Sequence, residues 1–144
     1  MSVVIEGLAE LDIALKSFLL DTEKAIDDAV RITAVKVQKS AIKSIREPSM
    51  GTYVTRYTAS GKPYSHIASK EGESPNTDTG RLIKSISLDH HKGKKVAYVG
   101  TNVDYGFFLE TVMNRPWLQP AKDKEVVFFK DNVTKAVQMQ IKKA

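Results

Sequence analysis

The chain has 144 residues, 42% apolar and 27% charged, which suits one globular domain with a substantial core. No apolar run approaches the roughly 18 residues of a membrane-spanning helix, and the opening MSVVIEGLAEL lacks the basic start and long apolar core of a signal peptide. With no cysteine and a net charge of only +5, disulfides, thiolate chemistry and Cys-based zinc sites are excluded.

Ser2 to Ile5 is a short β-prone piece, broken by Gly7. Apolar residues then recur at Leu8, Leu11, Leu15, Phe18/Leu19, Ala25/Ile26, Ala29/Val30, Val37, Ala41 and Ile45, the three-and-four spacing of a helix. Neither Pro nor Gly interrupts Leu8 to Glu47, so one helix of nearly 40 residues is expected, with Thr22 as the candidate kink and Pro48 as its end. Acids gather early (Glu6, Glu10, Asp12, Asp21, Glu23, Asp27, Asp28) and bases late (Arg31, Lys36, Lys39, Lys43, Arg46). That order complements a helix dipole. A helix so long must cross a sheet or reach a neighbouring subunit.

Residues 47–77 lose all periodicity and are rich in Ser, Thr, Gly and Pro, yet carry Tyr53, Tyr57 and Tyr64. A mobile loop with at most a weak hairpin is expected, one that either orders against a partner or is plainly disordered. Asp78-Thr79-Gly80 follows. This triplet carries the catalytic carboxylate of aspartic proteases, but there it follows an apolar strand, and two such carboxylates share a proton. Here SPNT precedes it, so Asp78, or Thr77, is read as the N-cap of a short helix whose Leu82, Ile83 and Ile86 face inward.

Ser85 to Asp89 and Lys95 to Thr101 read as a hairpin, with either Val96 and Tyr98 or Ala97 and Val99 facing inward. HHKGKK is the turn. His90 and His91 are adjacent and therefore point to opposite faces of a strand, which argues against a shared metal. Tyr105, Phe108 and Leu109 suit a short helix on the sheet, with Phe107 and Phe108 expected in the core. Tyr105, Arg115 and Trp117 fit core and interface equally, and Glu110 and Arg115 are candidates to pair within the chain or across a subunit boundary. A final helix from Leu118 to Lys142 completes an α+β domain spanning residues 1–144, with the two helices packed on a small antiparallel sheet.

Four motifs occur in order: VVIEGLAELDIAL, GESPNTDTGRLIKSI, VAYVGTNVDYGFFLE and RPWLQPA. Together they make the chain resemble the tail-component family of long-tailed bacteriophages, the head–tail joining or tail-completion proteins. One departure is local: that family follows the Tyr…Glu segment with an aromatic-Gly-Thr turn, whereas here Glu110 precedes Thr111-Val112-Met113. The resemblance implies a structural virion subunit of the neck, from phage or prophage, assembled in host cytoplasm. It implies no enzymatic activity and no cofactor. It further implies a ring, commonly a hexamer, between tail-tube or terminator proteins and the head connector, and it is compatible with a free chain that is a monomer in solution. DNA would pass through without sequence-specific binding. Tyr53, Tyr57, Tyr64, Tyr105, Glu110, Arg115 and Trp117 are the candidate interface residues, and no catalytic, metal or membrane role is expected. The alternative is a small basic nucleic-acid-binding protein, resting on the +5 charge, HHKGKK and the lysine-rich end.

Overall fold

A computed structural model describes residues 2–4, 6–47 and 49–143. The expected β-prone opening includes Ile5 and the expected helix stop is Pro48, and both of these residues lie outside the described set. The helix α1 runs Leu8–Arg46, unbroken at Thr22, for a length of about 58 Å at 1.5 Å per residue. The Thr22 hydroxyl donates back to the Phe18 carbonyl at 2.7 Å within it. Glu47, which precedes Pro48 in sequence, is extended (φ −71°, ψ 123°), the conformation a following proline favours.

The segment expected to be a mobile loop contains a regular hairpin. Strands β1 (Thr52–Tyr57) and β2 (Pro63–Ala68) pair antiparallel over six residues each, from Thr52↔Ala68 to Tyr57↔Pro63. Composition concealed this because Ser and Thr serve turns and strands alike. The turn closes with Gly61 at φ 81° and Thr58 N–H donating to the Lys62 carbonyl at 2.9 Å. Gly51 lies against the Ala68 carbonyl, where any Cβ would collide with backbone.

Next come α2 (Arg81–Ser85), β3 (Ser87–His91), β4 (Val96–Gly100), α3 (Asp104–Thr111), α4 (Gln119–Val126) and α5 (Phe129–Lys143). Strands β3 and β4 form a second two-stranded antiparallel sheet, in register Leu88↔Val99 and His90↔Ala97. The α+β class is therefore as expected, with two small sheets in place of one. Of the two inward sets weighed for β4, Ala97 and Val99 are half-buried, while Val96 and Tyr98 are exposed.

The core lies at the C-terminal half of α1. Val37, Ala41 and Ile45 pack with Leu82, Ile86, Trp117 and Ala121. Trp117 is 2% exposed, and its Nε1 donates to the Gly106 carbonyl at 3.0 Å, which satisfies the one polar atom the ring buries. This overturns the expectation for the two phenylalanines, since Phe107 is 71% exposed and Phe108 also faces out, and it puts Trp117, open between core and interface, in the core. Gly106 gives the reason. A Cβ there would meet Thr101 Cγ2 at 2.7 Å and Leu82 Cδ1 at 2.9 Å, so α3 lies flush on the core at that point and the helical period carries its neighbours round to solvent.

The final helix is also not continuous. Val127 and Phe128 form a turn between α4 and α5, and Phe128 N–H donates to Glu125, three residues back, at 3.2 Å. The run Val126-Val127-Phe128-Phe129 is β-branched and aromatic, the residue types that favour a helix least among apolar side chains. Both α4 and α5 pack on α1. Ala121 joins the cluster at Ala41 and Ile45, while Phe129 lies beside Val30, so the C-terminal helices run antiparallel to α1.

Candidate assembly surfaces

Asp78 does not cap a helix. The cap position of α2 is Gly80, at φ 77°, with no side-chain capping bond, and the Thr77 hydroxyl donates instead to the Ile45 carbonyl at 3.3 Å. The physical reason lies in the hairpin. Residues opposite one another in an antiparallel pair share a face, so Arg56, Tyr64 and His66 stand together on one side of β1–β2. Asp78 is their common partner: Tyr64 Oη donates at 2.9 Å, Arg56 Nε lies at 3.5 Å and His66 Nδ1 at 3.9 Å. The hydrogen bond to Asp78 pushes the Tyr64 hydroxyl above its ordinary pKa of 10.0. Asn76 adds a second clasp, donating to the Ile67 carbonyl at 2.7 Å and accepting from Ser49 N–H at 2.8 Å. The triplet segment is thus the hinge plate that fixes the hairpin to the end of α1.

The strand period splits the three loop tyrosines. Tyr64 faces Asp78, whereas Tyr53 and Tyr57 share the opposite face and are largely exposed. Tyr105 and Arg115 sit across from the hinge plate. With Ile45, Leu82, Leu109 and Met113 they line a cavity of about 530 Å³ that Arg56, His66, Asp78 and Arg81 also border. The structure therefore gathers Tyr105 and Arg115 around one concave surface, ties Tyr64 to Asp78 at its border, and sets Tyr53 and Tyr57 on another face.

Glu110 and Trp117 belong elsewhere. Glu110 accepts from three consecutive backbone N–H groups at the start of α4: Trp117 at 2.7 Å, Leu118 at 3.0 Å and Gln119 at 2.9 Å. It caps α4 from outside the helix, meeting the need of its first N–H groups. Arg115 Nε donates to the Ser69 carbonyl at 2.8 Å, so within the chain Glu110 and Arg115 do not pair with each other and each makes a separate structural contact. Trp117, buried in the core, leaves the interface set. Asn114, in the turn after α3, takes the left-handed conformation (φ 48°) that Asn tolerates better than most residues.

His90 and His91 end β3 and point apart, as the strand period requires. His91 packs edge-on against Tyr98 at 5.5 Å and lies 3.0 Å from Asp89. His90 Nε2 lies 3.2 Å from Asp27 Oδ1, and Asp27 also accepts from Gly93 N–H at 3.0 Å and Lys95 N–H at 2.9 Å. The Gly93 bond, helped by those of His90 and Lys95, outweighs burial and holds Asp27 below the usual carboxylate value of 3.8. The basic turn is thereby locked to α1, with Lys95 Nζ 3.4 Å from Glu23. Sequence reasoning counted Asp27 only as one acid of an acidic helix half. Its single signal was position, flanked by Ala25/Ile26 and Ala29/Val30 on the inward-facing side.

The second surface is the N-terminal half of α1. Leu8, Leu11, Ile13, Leu15, Leu19 and Leu20 are all between 53% and 68% exposed. Leu8, Leu11 and Leu15 continue the stripe that becomes half-buried at Phe18 and Thr22 and fully buried from Ala29 onward. The apolar pattern thus runs past the body of the molecule and stays bare.

No family model matches the chain, and neither a curated protein nor a solved structure matches it. Among the described residues no helix is long and apolar enough to cross a membrane, and no three His, Asp or Glu side chains gather to hold a metal ion.

Proposed function

We propose that this chain is a structural subunit of a phage neck or tail terminus, a head–tail joining or tail-completion protein that closes into a ring between tail tube and head connector. The observation that carries this reading is the bare apolar stripe Leu8–Leu20 at one end of α1, with an unlike surface, the hairpin and its cavity, at the other end. A single chain with two different exposed faces at opposite ends is suited to head-to-tail contact, and repeated head-to-tail contact generates a closed ring when the rotation closes. Exposed apolar area beyond a few hundred Å² marks an interaction site more often than an accident of sequence. The four ordered sequence motifs supply the phage context. In this reading Asp78 holds the hairpin and performs no chemistry, and DNA passes through the ring unread.

The test is to incubate the purified protein with phage tail tubes and with head connectors and to image both by electron microscopy. Ring-shaped density at the tube end or on the connector is expected. Absence of binding to both, with the protein folded, contradicts the reading. The basic nucleic-acid-binding alternative predicts instead a duplex affinity that falls steeply with salt.

A further inference from the structure

We infer that the first half of α1 is a docking arm whose occupant site is the cavity between hairpin and α3 of a second copy of this chain. The inference rests on the ring reading for its closure, though not for the contact itself.

Three observations lead to it. First, the arm cannot be covered in cis by that cavity. Leu11 and Ile45 lie on one rigid helix, and 34 residues at 1.5 Å separate them by about 51 Å. Second, the charges match only in trans. Residues 6–24 hold five acids (Glu6, Glu10, Asp12, Asp21, Glu23) against Lys16 and Lys24, in a chain whose net charge is +5. Two arms laid side by side repel. The cavity, by contrast, is bordered by three guanidinium groups, Arg56, Arg81 and Arg115, and one carboxylate, Asp78. Third, the wall between those charges is apolar: Ile83, Tyr105, Leu109 and Met113 face an open groove of about 530 Å³, within the size range of ligand-binding clefts. An acidic helix with a leucine stripe laid in an apolar groove rimmed by arginine is a standard helix-in-groove arrangement. A nucleic-acid backbone would engage the arginines but leave that apolar wall uncovered.

In the contact, Leu8, Leu11 and Leu15 enter the groove while Asp12, which flanks that stripe on the helix, faces Arg81 at the rim. Tyr105 and Arg115, which fit core and interface equally from sequence, both line the groove. The contact is heterologous, so each copy keeps one arm and one groove, and the assembly is a ring or a filament.

The natural absence of cysteine makes the test direct. Single-cysteine copies Leu11→Cys and Met113→Cys are mixed under mild oxidation, with Leu11→Cys plus Val127→Cys as the control, since Val127 is exposed on a remote turn. A mixed disulfide in the first mixture, well above the control, is expected. Arg81→Glu weakens self-association by roughly threefold to tenfold, as reversing an exposed charge pair does, and Asp12→Lys in the same chain restores part of it. Light scattering over a concentration series reads that change, and circular dichroism confirms folding. Equal cross-linking in both mixtures overturns the inference, as does a strict monomer at every concentration. Dominant Leu11–Leu11 dimers overturn it in favour of an arm–arm contact, and duplex DNA that is retained by wild type and lost on Arg81→Glu assigns the cavity to nucleic acid instead. The two readings fail separately: arm-to-groove cross-links without binding to tail tube or connector contradict the phage role alone, while tail binding untouched by Arg81→Glu contradicts this contact alone.

Discussion

The two halves of α1 share one helical period and one kind of apolar stripe, yet they have opposite fates. From Ala29 to Ile45 the stripe is buried, and at Val37, Ala41 and Ile45 it packs with Trp117, Leu82 and Ala121. From Leu8 to Leu20 it is bare. Amphipathicity alone therefore does not show where a core ends. It shows which face is available, and the rest of the chain decides how much of that face is covered. The arm is also poorly terminated. Gly7 caps it without a side-chain bond, and its Lys16–Asp12 pair is too exposed to contribute much. It stays helical by propagation from the buried half, because extending a helix is far easier than nucleating one.

The contrast between halves can be broken most sharply at Trp117. Trp117→Ala opens the core and costs about 3–5 kcal/mol in denaturant melts, whereas Leu11→Ala in the arm changes stability by less than about 0.5 kcal/mol. Comparable losses at the two sites would mean that the arm is covered within its own chain. Glu110→Ala comes next. It strips three N–H acceptor contacts from the start of α4 and should lower stability by about 1–2 kcal/mol, with faster amide exchange at Trp117, Leu118 and Gln119.

Asp27→Ala frees the β3–β4 turn and lowers the melting temperature at pH 7. The sign of its pH dependence follows from the lowered folded-state value. Stability contributed by Asp27 is present above the unfolded value of 3.8 and is lost as pH falls through the folded one, so wild type and variant begin to converge as pH drops below 3.8 and meet only below the lower folded-state value. A difference that persists unchanged at lower pH would mean that the carboxylate is not what holds the turn. Asp78→Ala has the smallest global effect, under about 1 kcal/mol for a partly exposed ionic contact. Its consequence is local: faster exchange and easier proteolysis across Thr52–Ala68. A lost helix cap would instead loosen Arg81–Ser85.

Much of this architecture was legible in the sequence. The helical period gave α1 almost to the residue, and turn composition located the β3–β4 hairpin. Other features depended on long-range partners. Asp78 resembles a cap wherever a helix follows it, and only the face shared by Arg56, Tyr64 and His66, residues 12 to 22 positions upstream, draws it away. Phe107, Phe108 and Trp117 are equally apolar in isolation, and the close approach at Gly106 sorts them. Asp27 gains its meaning from backbone N–H groups 66 and 68 residues away. Of the candidate interface residues, Tyr53, Tyr57, Tyr64, Tyr105 and Arg115 lie on the two faces of the hairpin and around the cavity, while Glu110 and Trp117 serve the fold.

The most direct measurement is hydrogen exchange along α1 at low and high protein concentration. The account predicts that at low concentration amides of residues 8–20 exchange fast while those of 29–45 are protected. Raising the concentration then protects the arm together with the segment around Tyr105–Met113. Arm amides already as protected as the second half at the lowest concentration, or equally unprotected at the highest, would contradict it.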